Sequence, residues 1–330
     1  MGQTGSKMAH VVVLGAGCWI LCSGTVYAVI GNPQANQTDI PAAARSGFEI
    51  TLGIEMMTGE TKYSVGAPFR FPDGNSAQGY FPLSELEWPL DIWLARVSAR
   101  LDVGQNWRIN GVVKTDITDP NDPMTDRDWL HASNPRQLDV YSTSDISGFS
   151  AFIFDVDVEW TFMQRHSWSL FTGIGYQYQK YEYDGSLVHQ YSPSGQFGYE
   201  YFGNGVVTTN YEMTYSMPYL LVGTEFQITP AFIITGSLAY SPLVTAEDRD
   251  DHLLRSRVAK GDMDGDAYMI DLSGNYEFES SWFVEGGVCY TKIEVDGEID
   301  ISVYGIYVLT EREEAESSQT TGYFSLGYRF

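Results

Sequence analysis

The sequence predicts an all-β fold, a ten-stranded antiparallel transmembrane β-barrel with long extracellular loops and short periplasmic turns. Three observations predict it: segments in which apolar and polar residues alternate, connections that alternate between short and long, and an aromatic content of 14%. Between residues 152 and 162 every second residue is apolar, and the intervening residues include Asp155, Asp157 and Glu159. Such a strand has one apolar and one polar face, as a wall between lipid and a polar lumen requires.

The first residues predict a secretory signal peptide over residues 1–28. Lys7 precedes the apolar run VVVLGAGCWILC, and VYA ending at Ala28 supplies small residues before a cleavage site. Removal of this segment would leave Cys289 as the one cysteine, so we expect no disulfide within the chain. Residues 29–46 are mostly small or polar and predict a flexible mature N-terminus, followed by a barrel domain over residues 47–330.

Alternation recurs in ten segments, which we place as strands that start near residues 47, 84, 107, 147, 168, 207, 231, 266, 282 and 318. The connections near 103–106, 163–167, 227–230 and 279–281 are short, whereas those near 63–83, 117–146, 181–206, 242–264 and 295–316 have about twenty residues or more. A soluble β-sandwich is the alternative. The final residues, TGYFSLGYRF, favour the barrel because their alternating aromatics are similar to the last strand of bacterial outer-membrane proteins.

Composition restricts the classes of partner. The chain has 43 acidic and 19 basic residues, a net charge of −24, which argues against nucleic acid and favours cationic ligands. After the first segment no apolar run is long enough for a helical membrane span. Nucleotide-binding and paired-cysteine motifs do not occur, and DMDGDA at 262–267 lacks the distal glutamate of a complete calcium loop. We therefore expect no metal and no cofactor.

Two pairs of polar residues predict a site at the barrel mouth. Asp250 and His252 are two residues apart in AEDRDDHLLRS (246–256), and Asp126 and Asp128 have the same spacing in MTDRDWLHASNP (124–135). Residues two apart on a strand share a face, so the carboxylate of Asp250 can orient the imidazole and raise its basicity. The third and seventh strands of a ten-stranded barrel lie roughly opposite, so a water molecule between the pairs could be deprotonated. A solvated acidic loop is the alternative for 246–256.

These segments resemble the active-site segments of the omptins, outer-membrane endopeptidases of Gram-negative bacteria that are ten-stranded barrels and cleave at basic residues. The matching residues are Asp126, Asp128, Trp129, Ser133-Asn134-Pro135, Asp248, Asp250 and His252, with TGETK at 58–62, GYQ at 175–177 and MPY at 217–219. The resemblance covers most of residues 47–330 in patches. It implies that His252 is the general base, that Asp250 orients it, and that Asp126 and Asp128 bind and polarise the attacking water.

The resemblance also implies substrate-binding and lipid-binding residues. Asp248 matches an acid in the pocket for a basic side chain, but Tyr63 stands where a partner glutamate is expected, and either a cation–π contact of Tyr63 or nearby Glu60 could compensate. Asp139 is a candidate for the pocket after the cut. Omptins need lipopolysaccharide. Of the residues that bind it in the family, Tyr176 is matched, Lys180 stands where the family has an arginine, and Thr214 replaces a second arginine, so the implied partners are cationic peptides and this lipid.

Other assignments remain as alternatives. A covalent mechanism would need a nucleophile beside His252, and the sequence gives Cys289 no base. His131 is interpreted as a surface residue, His166 lies in a turn, and His189 lies in another loop. The alternative function is a non-proteolytic outer-membrane barrel on the omptin frame, such as a pore, adhesin or structural protein. Its acidic loops would then be solvated tips.

Overall fold

The computed structural model describes residues 47–131 and 133–330. The predicted signal peptide (1–28) and mature N-terminus (29–46) lie outside the described residues. The strands are β1 Phe48–Arg70, β2 Ser76–Ala77, β3 Ser84–Pro89, β4 Ile92–Val103, β5 Trp107–Asp116, β6 Met124–Asp128, β7 Val140–Gln164, β8 Trp168–Tyr191, β9 Glu200–Phe202, β10 Val207–Thr229, β11 Phe232–His252, β12 Arg257–Glu277, β13 Trp282–Val303 and β14 Ile306–Arg329. A short 3₁₀ helix spans Leu253–Arg255.

Ten of these strands form a closed antiparallel ring, which confirms the predicted fold class. The order is β1, β4, β5, β7, β8, β10, β11, β12, β13 and β14, and β14 pairs with β1 over almost its whole length. Closure leaves no free edge in the ring. In the described part of the chain, no helix is long and apolar enough to cross a membrane.

Two walls of the ring are extended by separate short strands. β3 pairs with β1 and with β6, and β6 pairs with β7, so these strands continue the wall above β4 and β5. Pro89 closes β3, and Pro120 and Pro123 lie between β5 and β6. Proline cannot donate a ladder hydrogen bond, which explains why these walls are broken where their partners are continuous.

The connections at one end are short, as predicted, but two predicted long loops are largely strand. β11 and β12 are joined by only the four residues 253–256, and β13 and β14 by Tyr304-Gly305, both with positive φ as in a tight hairpin. β12 and β14 consequently begin at residues 257 and 306, before the predicted 266 and 318. β7 also begins earlier than predicted, at residue 140 instead of 147. The alternation continues there, but its outward residues are acids such as Asp262 and Asp264, so it looks like a polar loop in the sequence.

Apolar and polar side chains exchange places between the outer and inner surfaces along the barrel axis. Towards the short turns, Leu52, Ile54 and Leu326 are exposed on the outside, while Arg108 pairs inside with Glu225 at 2.6 Å and Glu159 at 3.2 Å. Towards the loop end the pattern inverts, and the interior holds a cluster of buried aromatic rings: Tyr63, Trp88, Tyr183, Tyr211 and Tyr215. An apolar outer band is what a membrane requires, so the inverted end projects beyond it and holds the candidate site.

Candidate active site

The first acidic pair lies on β6 and faces the lumen. Ser142 and Ser84 hydroxyls approach Asp126, with Oγ to carboxylate distances of 3.3 and 3.4 Å. Arg127, between the two aspartates, points to the other side, where its Nη1 donates to Glu85 and Glu87 at 3.1 and 3.0 Å. Asp126 and Asp128 therefore share one face, as their spacing predicts.

The two aspartates hold protons more readily than isolated ones. Burial raises the pKa of Asp126 well above its usual value, and the charges of Asp128 and Asp250 raise it further. Burial also raises the pKa of Asp128, against the effects of Ser84 and Arg255. Like charges in a poorly solvated site disfavour double ionisation, so this pair can retain one proton while it contacts a water molecule.

The second pair lies at the end of β11. His252 Nε2 is 3.0 Å from Asp250 Oδ2, and Asp250 is 1% exposed. Burial alone would raise the pKa of Asp250, but His252, Arg257 and Tyr63 together hold it below its usual value. Asp250 is thus an anion that orients the imidazole, and Nδ1 of His252 is left to accept a proton.

The two pairs influence each other's surroundings although β6 extends one wall above the ring and β11 belongs to another wall. The charge of Asp250 raises the pKa of Asp126, and the charge of protonated His252 lowers the pKa of Asp128. The inner walls are also in direct contact, since Tyr63 on β1 donates to Asp250 on β11 at 2.6 Å. The lumen is therefore narrow at the level of Asp250.

A second cluster of carboxyl groups lies beside the Asp–His pair. Asp248 is 5% exposed, and its Oδ1 accepts a hydrogen bond from the backbone N–H of Gly261 at 2.9 Å. Glu313 on β14 is fully buried, and a Cβ at residue 261 would collide with both Glu313 Oε2 and Asp248 Oδ1. The two carboxyl groups thus converge over the space that Gly261 leaves open.

This cluster has unused hydrogen-bonding capacity. Asp248 Oδ2 and both carboxyl oxygens of Glu313 are buried without a hydrogen-bond partner among the described residues. Burial raises the pKa of Asp248 to about 7. Burial and the neighbouring Asp248 raise that of Glu313 well above its usual value. A cationic group would satisfy these atoms and favour their ionised forms.

Tyr63 and Glu60 are the two residues considered for the missing pocket glutamate, and they differ in burial. Tyr63 is 2% exposed, stacks on Tyr211 with 5.1 Å between ring centroids, and turns its hydroxyl to Asp250. Glu60 is exposed, whereas the next residue, Thr61, is buried. Glu313 was missed because residues 295–316 were predicted to be a loop. The alternation of residues 311–321, continued from the last strand, is the signal that would have found it.

Asp139 is integrated into the second loop. Its carboxylate accepts hydrogen bonds from the Leu130 backbone N–H at 2.9 Å, from Gln137 Nε2 at 2.9 Å and from Ser194 Oγ at 3.1 Å. The residue is fully buried. In this arrangement Asp139 organises the loop that follows β6, and its role towards substrate stays a prediction.

The candidate lipid-binding residues lie on β8. Lys180 Nζ pairs with Glu182 at 2.7 Å and with Glu212 on β10 at 3.2 Å. Tyr176 Oη donates to Ser216 Oγ at 3.1 Å, and Thr214 is opposite Lys180 on the neighbouring strand. Two glutamates thus offset the ammonium charge that would attract a lipid phosphate.

The remaining candidate groups lie apart from the two pairs or have other partners. His131 Nδ1 is 2.9 Å from Ser133 Oγ, His189 Nε2 is 3.0 Å from Glu200, and Cys289 Sγ contacts Thr291 at 3.9 Å. Over residues 47–131 and 133–330, no group of three histidine, cysteine or acidic side chains is arranged to hold a metal ion. Asp262 and Asp264, considered for calcium, lie along β12.

Comparison with known proteins connects this geometry to a family. The model of the omptin family matches residues 47–310. Among solved structures, the outer membrane protease OmpT from Escherichia coli superposes with a TM-score of 0.71 at 16% identity, over 86% of this chain and 97% of that chain. The outer membrane protein OprG from Pseudomonas aeruginosa matches at 10% identity over 87% of this chain and 97% of that chain, with a TM-score of 0.38.

The search of curated proteins gave no match. At 16% identity the likeness to OmpT shows the shared barrel fold. The family model covers well over half of the residues, from the start of the first strand into the last one. The chain therefore belongs to the omptin family and is an outer-membrane protease of the omptin kind.

Proposed function

We propose that this protein is an endopeptidase that hydrolyses peptide bonds next to basic residues, with a water molecule activated between Asp126–Asp128 and Asp250–His252. The observation that carries the proposal is that these two same-face pairs lie at one end of the lumen, close enough for the charges of Asp250 and His252 to shift the pKa values of Asp126 and Asp128. The hydroxyls of Ser84 and Ser142 hold Asp126 of the first pair. Asp250 holds the second.

The proposed reaction needs no covalent intermediate. Asp126 and Asp128 bind the water and His252 takes one of its protons, so that the oxygen attacks the scissile carbonyl carbon. The anion of Asp250 stabilises the imidazolium that forms. His252 then donates the proton to the leaving nitrogen as the C–N bond breaks, which gives a carboxyl group and an amine. The rate should fall on acidification, because a protonated His252 cannot act as the base.

The proposed specificity pocket consists of Asp248 and Glu313. Both carboxyl groups are buried beside the Asp–His pair, and three of their oxygens have no hydrogen-bond partner among the described residues. A lysine ammonium or arginine guanidinium has the donors and the charge that this pair lacks. This supports the preference for basic residues that the sequence resemblance implies, with Glu313 in place of the glutamate expected at position 63.

The lumen gives little support to a pore. Arg96 and Lys114 pair inside the barrel with Glu55, and Arg329 pairs with Glu49 and Glu277. A cavity near these lower ion pairs has a volume of about 60 Å³, enough for only a few water molecules. Charged side chains therefore cross the barrel below the candidate site.

Orientation, processing and lipid dependence complete the proposal. We infer that the loop end faces the extracellular side and that residues 1–28 are removed on export. Lipopolysaccharide would bind near Tyr176 and Lys180 on the outer wall. Because Glu182 and Glu212 neutralise Lys180, we expect this contact to be weak and sensitive to ionic strength.

The test uses quenched fluorescent peptides with Arg-Arg, Lys-Lys, Arg-Ala and Ala-Ala centres. The wild-type protein, His252→Ala and Asp126→Ala are refolded in detergent with and without lipopolysaccharide. Asp262→Ala, which removes an exposed carboxylate from the outer wall, is the matched control. We expect both site variants to lose at least about 100-fold in rate and the control to keep its activity. A folded wild-type protein that cleaves no peptide would contradict the proposal.

A further inference from the structure

Tyr63 makes a hydrogen bond to Asp250 that has no role in the reaction described above. Its side chain extends from β1 into the aromatic cluster, where it stacks on Tyr211 and is 2% exposed. Its hydroxyl donates to Asp250 Oδ2 at 2.6 Å. β1 and β11 are not adjacent in the ring, so this hydrogen bond spans the lumen from the opposite wall.

The oxygen that receives this hydrogen bond is also the one that faces His252. Asp250 Oδ2 is 3.0 Å from His252 Nε2 and 3.5 Å from Arg257 Nη1, whereas Asp250 Oδ1 has no hydrogen-bond partner among the described residues. Without Tyr63 the carboxylate would keep only partners at the end of β11 and the start of β12. Tyr63 is thus the partner from across the lumen that fixes its rotation.

We propose that Tyr63 is a positioning residue of the hydrolytic reaction, which holds the Asp250 carboxylate so that the His252 imidazole is correctly aimed. This inference rests on the proposed function and deepens it. A donor on Asp250 Oδ2 disperses the negative charge that would otherwise stabilise imidazolium.

The phenol acts as a neutral donor. Burial raises the pKa of Tyr63 well above its usual value, and the charges of Asp250 and Asp248 raise it further. Loss of its proton would place a second anion against Asp250 without solvent to screen it. Tyr63 therefore keeps its hydrogen across the working pH range.

Other charged groups face the Asp–His pair from the elements around it. They are Asp126 and Asp128 on β6, Asp248 on β11, Arg255 in the 3₁₀ helix, Arg257 on β12 and Glu313 on β14. A substitution at position 63 leaves all of them in place. The change in the pH profile of such a variant thus reports the phenol itself.

The experiment compares Tyr63→Phe with Tyr183→Phe. Tyr183 is equally buried in the same aromatic cluster, but its hydroxyl donates to the Pro89 carbonyl at 3.3 Å. kcat and KM are measured for an Arg-Arg peptide from pH 5 to 9, and the thermal midpoint reports folding. We expect Tyr63→Phe to lose about tenfold in kcat with little change in KM, and its acidic limb to move upward by roughly half a pH unit or more. Tyr183→Phe should keep the wild-type profile.

Each outcome decides the inference. An unchanged acidic limb in a folded Tyr63→Phe protein, whatever happens to kcat, would reduce Tyr63 to a packing residue. A rise in KM for basic peptides at constant kcat would place it in the substrate pocket instead. Both results overturn this inference while the proposed function stands. A wild-type protein that cleaves nothing overturns the two together.

Discussion

Replacement of Glu313 by glutamine should lower the preference for basic residues while the chemistry of hydrolysis is retained. Glu313 is fully buried, both of its oxygens lack a hydrogen-bond partner among the described residues, and it lies with Asp248 over Gly261. Glutamine keeps the size of the side chain and removes its capacity for negative charge. Neither Asp126–Asp128 nor Asp250–His252 is touched.

The magnitude follows from the loss of one charged contact. A hydrogen bond between charged groups contributes about 1.5–3 kcal/mol, which corresponds to a roughly 10- to 100-fold change in an equilibrium or rate ratio. We therefore expect kcat/KM for Arg-Arg peptides to fall by about that factor in Glu313→Gln. kcat/KM for any slow cleavage of Ala-Ala peptides should be unchanged.

The pH dependence of this effect has a defined sign. Burial raises the pKa of Asp248 to about 7 and that of Glu313 well above its usual value, so negative charge in the pocket develops as pH rises. KM for basic peptides should fall from pH 6 to 8 in the wild-type protein and less steeply in the variant. A carboxyl group with a raised pKa also destabilises the fold as pH rises, so Glu313→Gln should have a higher thermal midpoint than wild type at pH 9.

The assay is peptide cleavage by Glu313→Gln beside Glu314→Gln. Glu314 is the next residue on β14 and pairs with Arg312 outside the pocket, so it is a matched control for loss of one glutamate. Equal Arg-Arg to Ala-Ala ratios for the wild-type protein and Glu313→Gln would refute the assignment of Glu313 to the specificity pocket.

Three further predictions concern the surroundings of the site. Gly261→Ala should lower the free energy of unfolding by about 1–3 kcal/mol, because its methyl group collides with two carboxyl groups; an unchanged thermal midpoint at pH 6 would contradict the described pocket. Asp139→Ala should lower kcat for all peptides alike, because three loop hydrogen bonds are lost; a selective rise in KM for peptides with a basic residue after the cut would make Asp139 a substrate ligand. With a net charge of −24, kcat/KM for cationic peptides should fall as salt is raised from 0.05 to 0.5 M, whereas a neutral peptide should show little change.

The sequence predicts the barrel and the Asp–His site because both depend on the alternation of side-chain direction along a strand, which repeats every two residues. Residues two apart on a strand share a face, which brings Asp126 to Asp128 and Asp250 to His252 on whichever strands carry them. The positions of the short turns can also be predicted, because each turn separates two segments in which apolar and polar residues alternate. These features require only local geometry and the closure of the sheet.

The parts that could not be predicted depend on contacts across the lumen. The outward face of β12 becomes acidic beyond the membrane, at Asp262 and Asp264, so the strand is hidden in a polar stretch. Tyr63 occupies the position of an expected pocket acid, but its partner Asp250 is 187 residues away on another wall. Glu313 reaches Asp248 only because β12 carries a glycine between them. The spacing of residues along a single sequence does not reveal such contacts between distant strands.

The central claim is that both residue pairs act on one water molecule, and a double-mutant comparison tests it most directly. kcat for an Arg-Arg peptide is measured for Asp126→Asn, His252→Gln and the double variant, with folding checked by thermal unfolding. Residues that act as a unit give strongly non-additive losses. The account predicts that the double variant is about as slow as the slower single variant. Losses that multiply, or a single variant that keeps the wild-type rate, would contradict it.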